Sequence, residues 1–552
     1  MKLKDTWFPW LQSHSQNPWR LLHLTRSDDR HTRHLGVRAL AGIEDWDDYQ
    51  YRYIAQACDA RTLVGLARSP DVDERFFLPP PQLQPMKNSL LDELKELLRW
   101  LPQCDVDKCV AYFTEVALRK TLQFEDKGGL WTFSGLSLEP IKICTDFDNT
   151  KKMQSVCLEA LARHSLHLKH CQEIVHNRGL QLLQRVVESR PKDLNIKETV
   201  ARIIGNLALC ADLHKDIIKT GWVQRLYEWM KGEDLSLLIF AARALANLDS
   251  DFSGDVQEDG IFVIHPVHRT TDPLYADIVF IHGIMGGPFK TWRQQDVKNK
   301  GRNHGNDETG TSWTTCWPKD WLAEDCPNSR IVAVQFDTHV SSWYVSCPYD
   351  DEKRTVSQRA KLLLDKLHKA GVGSRPIIWV AHSMGGLLVK QMLKLSEDSP
   401  HFSCLAEQTR GFVFYSVPHH GSVLANRSNT AKYILYPSVE VKELGKDSLM
   451  LAKLHSHFKD FALKHEIPCL SFGEMEKMNL GKKLPKMLIV PHETSDPGFG
   501  EFFTLPVDHI NICKPEDRDS DLYKITLKFI KSCILHSRVE TLLEQGMSVN
   551  NV

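Results

Sequence analysis

No apolar run in the sequence reaches the roughly 18 residues that a membrane-spanning helix needs. The opening stretch MKLKDTWFPW has no apolar core of the kind a secretory signal carries, so a soluble or peripheral intracellular chain is expected. Net charge is nearly absent as well: 69 basic against 70 acidic side chains leave −1, and no long like-charge block compensates. That balance provides no field to draw in nucleic acid or an acidic membrane. Fourteen cysteines are scattered from Cys58 to Cys533 without a C-x-x-C pair, in a chain too long to need disulfides for its core. They read as reduced thiols of an intracellular protein. No cofactor motif is found, and the one histidine pair, His419–His420, has neither an H-E-x-x-H helix nor paired cysteines to make a metal centre with it.

At 552 residues the chain exceeds the roughly 250–300 residues at which one core stops growing, so two or more domains are expected. Residues 1–250 read as helical. SLLDELKELLRWL places Leu90, Leu91, Leu94, Leu97, Leu98 and Leu101 on one stripe. Short segments also recur: Asn206 and Asn247 stand 41 residues apart in RIIGNLALCADLH and RALANLDSD, and Gly179 and Gly221 stand 42 apart. Those periods fall in the roughly 40–47-residue range of armadillo and HEAT repeats, whose units bury an apolar face only against a stacked neighbour. The expectation is a scaffold or protein-binding surface, with a helical cap on the second domain as the alternative.

Residues 255–540 change texture to short β-branched runs between helical segments. ADIVFIHG, RIVAVQFD, RPIIWVAHS, RGFVFYSVP, IPCLSFGE and PKMLIVP are the candidate strands, nearly continuous in apolar residues as parallel strands covered on both faces are. The predicted fold is therefore a helical repeat region followed by an α/β domain. Within it, WVAHSMGGLLVK sets Ser383 at a strand-to-helix turn. This is the G-x-S-x-G nucleophile elbow except that Ala381 replaces the first glycine, while Gly385 and Gly386 follow the serine. About 100 residues earlier, FIHGIMGG closes a strand with His282 and Gly283. It suggests an oxyanion hole built from the Ile284 N–H, with Met285 as the alternative, together with the Met384 N–H. Such folds run serine, acid, histidine along the chain, which selects His509 in LPVDHINICKP as base. Glu474, ending the strand CLSFGE, is the favoured acid, and Asp496 is the alternative. Trp292, Trp313, Trp317, Trp321 and Trp343 are read mainly as core, and the polar loop 296–312 only weakly as a lid.

ADIVFIHGIMGGPFKTWRQQD, WVAHSMGGLLVKQML, GFVFYSVPHHGS and VDHINICKP together resemble the serine-active-site-containing lipase-like family of the α/β-hydrolases. The resemblance extends into the helical half through YQYRYIAQACDARTLVGLARS. It implies an α/β-hydrolase domain with Ser383 as nucleophile and His509 as base, and it supports Glu474 through SFGEM. It also implies a phospholipid ester substrate, phosphatidylglycerol remodelling linked to intracellular cholesterol trafficking, and a place at contacts between endoplasmic reticulum and mitochondria. Full-length members share an apolar N-terminal segment that this sequence does not show. The function expected is serine-dependent acyl hydrolysis or transfer on a lipid ester, the alternative being a non-catalytic scaffold that binds a protein partner through the repeats.

Overall fold

The computed structural model describes residues 18–44, 46–79, 89–102, 107–119, 131–132, 139–140, 146–251, 255–284, 286–295, 315–336, 355–421, 449–478 and 486–544. The chain divides into two compact units. The first comprises residues 1–122, 146–259 and 267–271, and the second 123–145, 260–266 and 272–552.

In the first unit, helices α1 (Leu168–His176), α2 (Gly179–Ser189) and α3 (Leu194–Leu207) are followed by α4 (His214–Lys219), α5 (Trp222–Met230) and α6 (Leu235–Leu248). α3 and α6 start alike: Asp193 and Asp234 cap them by accepting from the Ile196 and Leu237 N–H groups. That satisfies one of the amides a helix leaves open at its N-terminus. They also end alike, because Asn206 and Asn247 brace neighbouring segments. Asn206 donates to Ser165 Oγ and accepts from Arg243, while Asn247 donates to the Gly205 and Gln257 carbonyls. α3 packs on α6. The glycines at 179 and 221 differ. Gly179 is the first residue of α2, where a Cβ would lie 2.5 Å from the Ile174 carbonyl oxygen, whereas Gly221 precedes α5 at φ +85°. The left-handed residue before α2 is Arg178, so the glycines' spacing is offset by one from the backbone correspondence.

The second unit is built on a seven-stranded sheet: β1 (Ile261–His265), β2 (Ala276–Ile281), β3 (Ser329–Val334), β4 (Ile377–His382), β5 (Thr409–Tyr415), β6 (Cys469–Glu474) and β7 (Glu501–Leu505). Their order is β1-β3-β2-β4-β5-β6-β7, with β1 antiparallel and the rest parallel. Every residue of β2, β3, β4 and β6 is buried, which accounts for their unbroken apolar reading. Helices α7 (Val356–Lys369), α8 (Met384–Glu397) and α9 (Leu449–Lys464) contribute Leu363, Leu388 and Phe458 to the core with Trp379 and Phe412 from the sheet. α10 (Asp521–Glu544) packs on β5.

Two strands of this sheet were not anticipated, β1 and β7, both at its edges, and neither was the short pair Trp131–Thr132 and Glu139–Pro140. One anticipated strand does not form. PKMLIVP makes only an isolated bridge between Met487 and Met478, and its Ile489 and Val490 amides turn to a side chain instead of a neighbouring strand. Trp292 and Trp317 are buried against Phe280, as core residues. Trp313, Trp343 and the loop 296–312 lie outside the described residues. Among the described residues no helix is long and apolar enough to cross a membrane.

Candidate active site

Ser383 follows β4 directly and caps α8 with φ 54° and ψ −127°, in a region that L-residues avoid. The strained turn is held by the Ser383 N–H, which donates to the Tyr415 carbonyl of β5. His509, after β7, places Nε2 3.0 Å from Ser383 Oγ. Its Nδ1 lies 2.5 Å from Glu474 Oε2. Since an ionised carboxylate only accepts, Nδ1 carries the proton and Nε2 is free to accept from the serine hydroxyl.

Glu474 is the last residue of β6 and 1% exposed. Its Oε1 receives the Ile489 and Val490 N–H groups at 2.8 and 2.9 Å. Burial by itself would raise this carboxyl, but the His509 ring and the Val490 amide outweigh it and hold it below the usual glutamate range. The carboxylate therefore stays ionised near neutrality. Asp496 takes no part in this chain of contacts; its Oδ1 accepts from the Gly498 N–H at 2.7 Å.

Residues 8–80 match the family model described as the SERAC1 N-terminal domain. Protein SERAC1 of Danio rerio is 47% identical over 528 residues, covering 95% of this chain and 80% of the relative. Protein SERAC1 of Homo sapiens is 44% identical with the same coverage. The chain belongs to the SERAC1 family. Among solved structures, the lipase BlEst2 of Bacillus licheniformis is 16% identical, covering 50% of this chain and 97% of its own, with a TM-score of 0.32. Phospholipase PlaB from Legionella pneumophila is 12% identical, covering 49% and 62%, with a TM-score of 0.34.

In this SERAC1-family chain the glycines around the serine have distinct steric reasons. A Cβ on Gly385 would lie 2.4 Å from the Ile281 carbonyl oxygen, and one on Gly386 2.4 Å from Val417. A Cβ on Gly283 would meet Ser383 Cβ at 2.6 Å. Ala381 faces no such constraint. It sits within β4 between Ile281 and Phe414, and its methyl belongs to the apolar core. Gly385→Ala is accordingly expected to push α8 off β2 and abolish reaction of Ser383 with a fluorophosphonate. Ala381→Gly should leave that reaction intact and cost about 0.5–1 kcal/mol of stability. Labelling and thermal melting of the two variants check both outcomes.

Met384 is the first residue of α8, where a backbone N–H has no acceptor within the helix. Ile284 lies in the turn after β2 and packs on the core, and Met285 is outside the described residues. His282 braces this turn: its ring stacks on Phe336 at 4.2 Å, and its Nδ1 lies 2.8 Å from the Gly283 carbonyl. Thr291 Oγ1 receives the Gly287 N–H at 3.0 Å. His419 is fully buried beside Phe414 and His455, and among the described residues no three metal-binding side chains converge there or elsewhere.

Sequence reasoning passed over two groups that touch this arrangement. The Ile489 and Val490 amides were hidden in a run that reads as a strand. The side chain of His382 reaches the His509 main chain, 127 residues away, across a distance that no local pattern reports.

Proposed function

We propose that this chain is a serine-dependent acyl hydrolase or acyltransferase acting on a lipid ester. One observation carries the reading: a serine in a strained backbone conformation, an imidazole acceptor 3.0 Å away and a buried carboxylate fixing the other ring nitrogen form one continuous hydrogen-bonded chain. Ser383 Oγ attacks the ester carbonyl while its proton passes to His509 Nε2. The Met384 N–H and the Ile284 or Met285 N–H receive the developing oxyanion. Collapse expels the alcohol, which takes the proton from His509 and leaves an acyl-serine. Water, or the hydroxyl of a lysolipid, then gives its proton to His509 and attacks the acyl carbon, and Ser383 Oγ leaves with that proton returned to it by His509. Glu474 holds the productive tautomer throughout and stabilises the imidazolium.

Phosphatidylglycerol is the lipid the family resemblance implies, with a part in cholesterol trafficking at contacts between endoplasmic reticulum and mitochondria. The helical unit would serve as an armadillo-like surface for a protein partner. Labelling with a fluorophosphonate probe tests the chemistry: wild type is expected to react and Ser383→Ala not at all. Failure of folded wild type to label across several detergents and lipids would replace the enzyme by a scaffold. Feeding phosphatidylglycerol vesicles with and without lysolipid separates hydrolysis, which releases fatty acid, from transfer, which builds a new diacyl lipid.

A further inference from the structure

The side chain immediately before the nucleophile takes no part in the chemistry above, yet it reaches the base. His382 ends β4 and is 6% exposed. Its Nε2 lies 2.9 Å from the main-chain oxygen of His509, and the two rings are 4.9 Å apart. A carbonyl oxygen can only accept, so Nε2 bears the proton and Nδ1 the lone pair. Nδ1 is buried with no partner among the described residues, on the side of Gly283, where a Cβ would come within 3.1 Å of it. Burial, reinforced by the neighbouring His509, keeps the ring neutral far below ordinary histidine titration. A neutral neighbour adds no repulsion when His509 becomes cationic.

We propose that His382 is a positioning residue for the base, its Nε2–H clamping the His509 carbonyl to the strand that carries Ser383. This rests on Ser383 and His509 being nucleophile and base. His509 sits in a turn tied locally, through Asp508 to the Ile510, Asn511 and Ile512 amides, and held at its flanks by the Glu476 N–H on the Val507 carbonyl and the Trp317 indole N–H on the Cys513 carbonyl. Glu474 fixes one end of the ring but not the main chain behind it. The His382 bond refers the base to β4, so that nucleophile and base share one rigid reference. Loss of such registration matters because a displacement of about 1 Å can cost on the order of 10²-fold in rate.

Two amide variants separate this role from simple filling of space. Glutamine at 382 can bring its Nε2 hydrogens to the place of the imidazole Nε2–H, whereas asparagine reaches only the position of Nδ1. The full chain is reacted with a fluorophosphonate, and the maximal labelling rate and half-saturating concentration are measured beside thermal melting. His382→Asn is expected to lower the maximal rate about 10- to 100-fold with the half-saturating concentration within about twofold. His382→Gln should return to within about threefold of wild type. A wild-type rate in the asparagine variant, or equal slowing in both, overturns the proposal. Should His382→Asn fail to fold, His382→Gln decides: a wild-type-like rate supports the clamp, and a folded protein slowed about tenfold or more overturns it. Absence of labelling in wild type would instead remove the nucleophile assignment itself, which no indifference at 382 can do.

Discussion

Glu474→Gln is expected to slow acylation of Ser383 by about 10⁴-fold without unfolding the protein, while Asp496→Asn leaves it within about twofold. The size follows from how the carboxylate is held. Oε1 accepts two main-chain amides, from Ile489 and Val490, and Oε2 faces His509 Nδ1. In glutamine only the carbonyl oxygen can serve the two amides, because its NH2 would meet them donor to donor. The NH2 is then directed at His509 and favours the tautomer with an unprotonated Nδ1. Nε2 consequently holds a proton where it must accept one from Ser383. The pocket keeps its shape and its hydrogen bonds, so the loss falls on the maximal rate and hardly on substrate affinity. Asp496 is tied to Gly498 and meets none of these atoms. Paired measurements of maximal labelling rate decide the matter. A large loss in Asp496→Asn beside a mild one in Glu474→Gln would reverse the assignment of the acid.

The contrast between those two carboxylates shows how far the sequence could be read. The strand that Glu474 ends was legible because its apolar residues are continuous, and the proposed acid is expected at such a strand end. The amides that hold it were not legible. Ile489 and Val490 lie in a run, PKMLIVP, with the composition of a buried strand. An apolar run reads the same whether its N–H groups go to a neighbouring strand or to a buried carboxylate. The edge strand β7 was missed for the complementary reason. EFFTL is half-exposed and pairs on one side only, so neither continuous burial nor clean alternation marks it. Ala381 was the reverse case, a departure from the motif that the structure makes harmless. The restrictive contacts fall on Gly283, Gly385 and Gly386, while position 381 lies inside the sheet with room for a methyl. His382 escaped notice because its partner is a main-chain atom far away in sequence.

Lowering the pH from 7 toward 4 is expected to remove stability steeply from both units, the second among them. His282, His382, His419 and His455 are buried there as neutral rings. Burial holds His282 down to about 4 and His455 to about 3, with Lys390 adding to the effect on His455. His164 is one counterpart in the helical unit, held to about 3 by burial and the adjacent His170, and burial lowers His34, His170 and His268 there as well. In the unfolded chain each titrates near pH 6.5. Below that value the unfolded state takes up protons the folded state refuses, so stability that is complete above about pH 6.5 is lost as the pH falls toward 4. Each such ring contributes a slope of about 1.4 kcal/mol per pH unit in that window. Glu474, held below the ordinary range, adds in the same direction only at still lower pH. His419 isolates the effect. Its ring is fully buried against Phe414, and neither nitrogen has a hydrogen-bond partner among the described residues. His419→Phe removes a proton site and two buried polar atoms from an aromatic neighbourhood. Denaturant unfolding at pH 7, 6 and 5 should therefore show the variant at least as stable as wild type at pH 7, with its slope shallower by about one proton. An unchanged slope would mean that His419 takes up its proton equally in the folded and unfolded protein, and would remove it from the set of neutral rings.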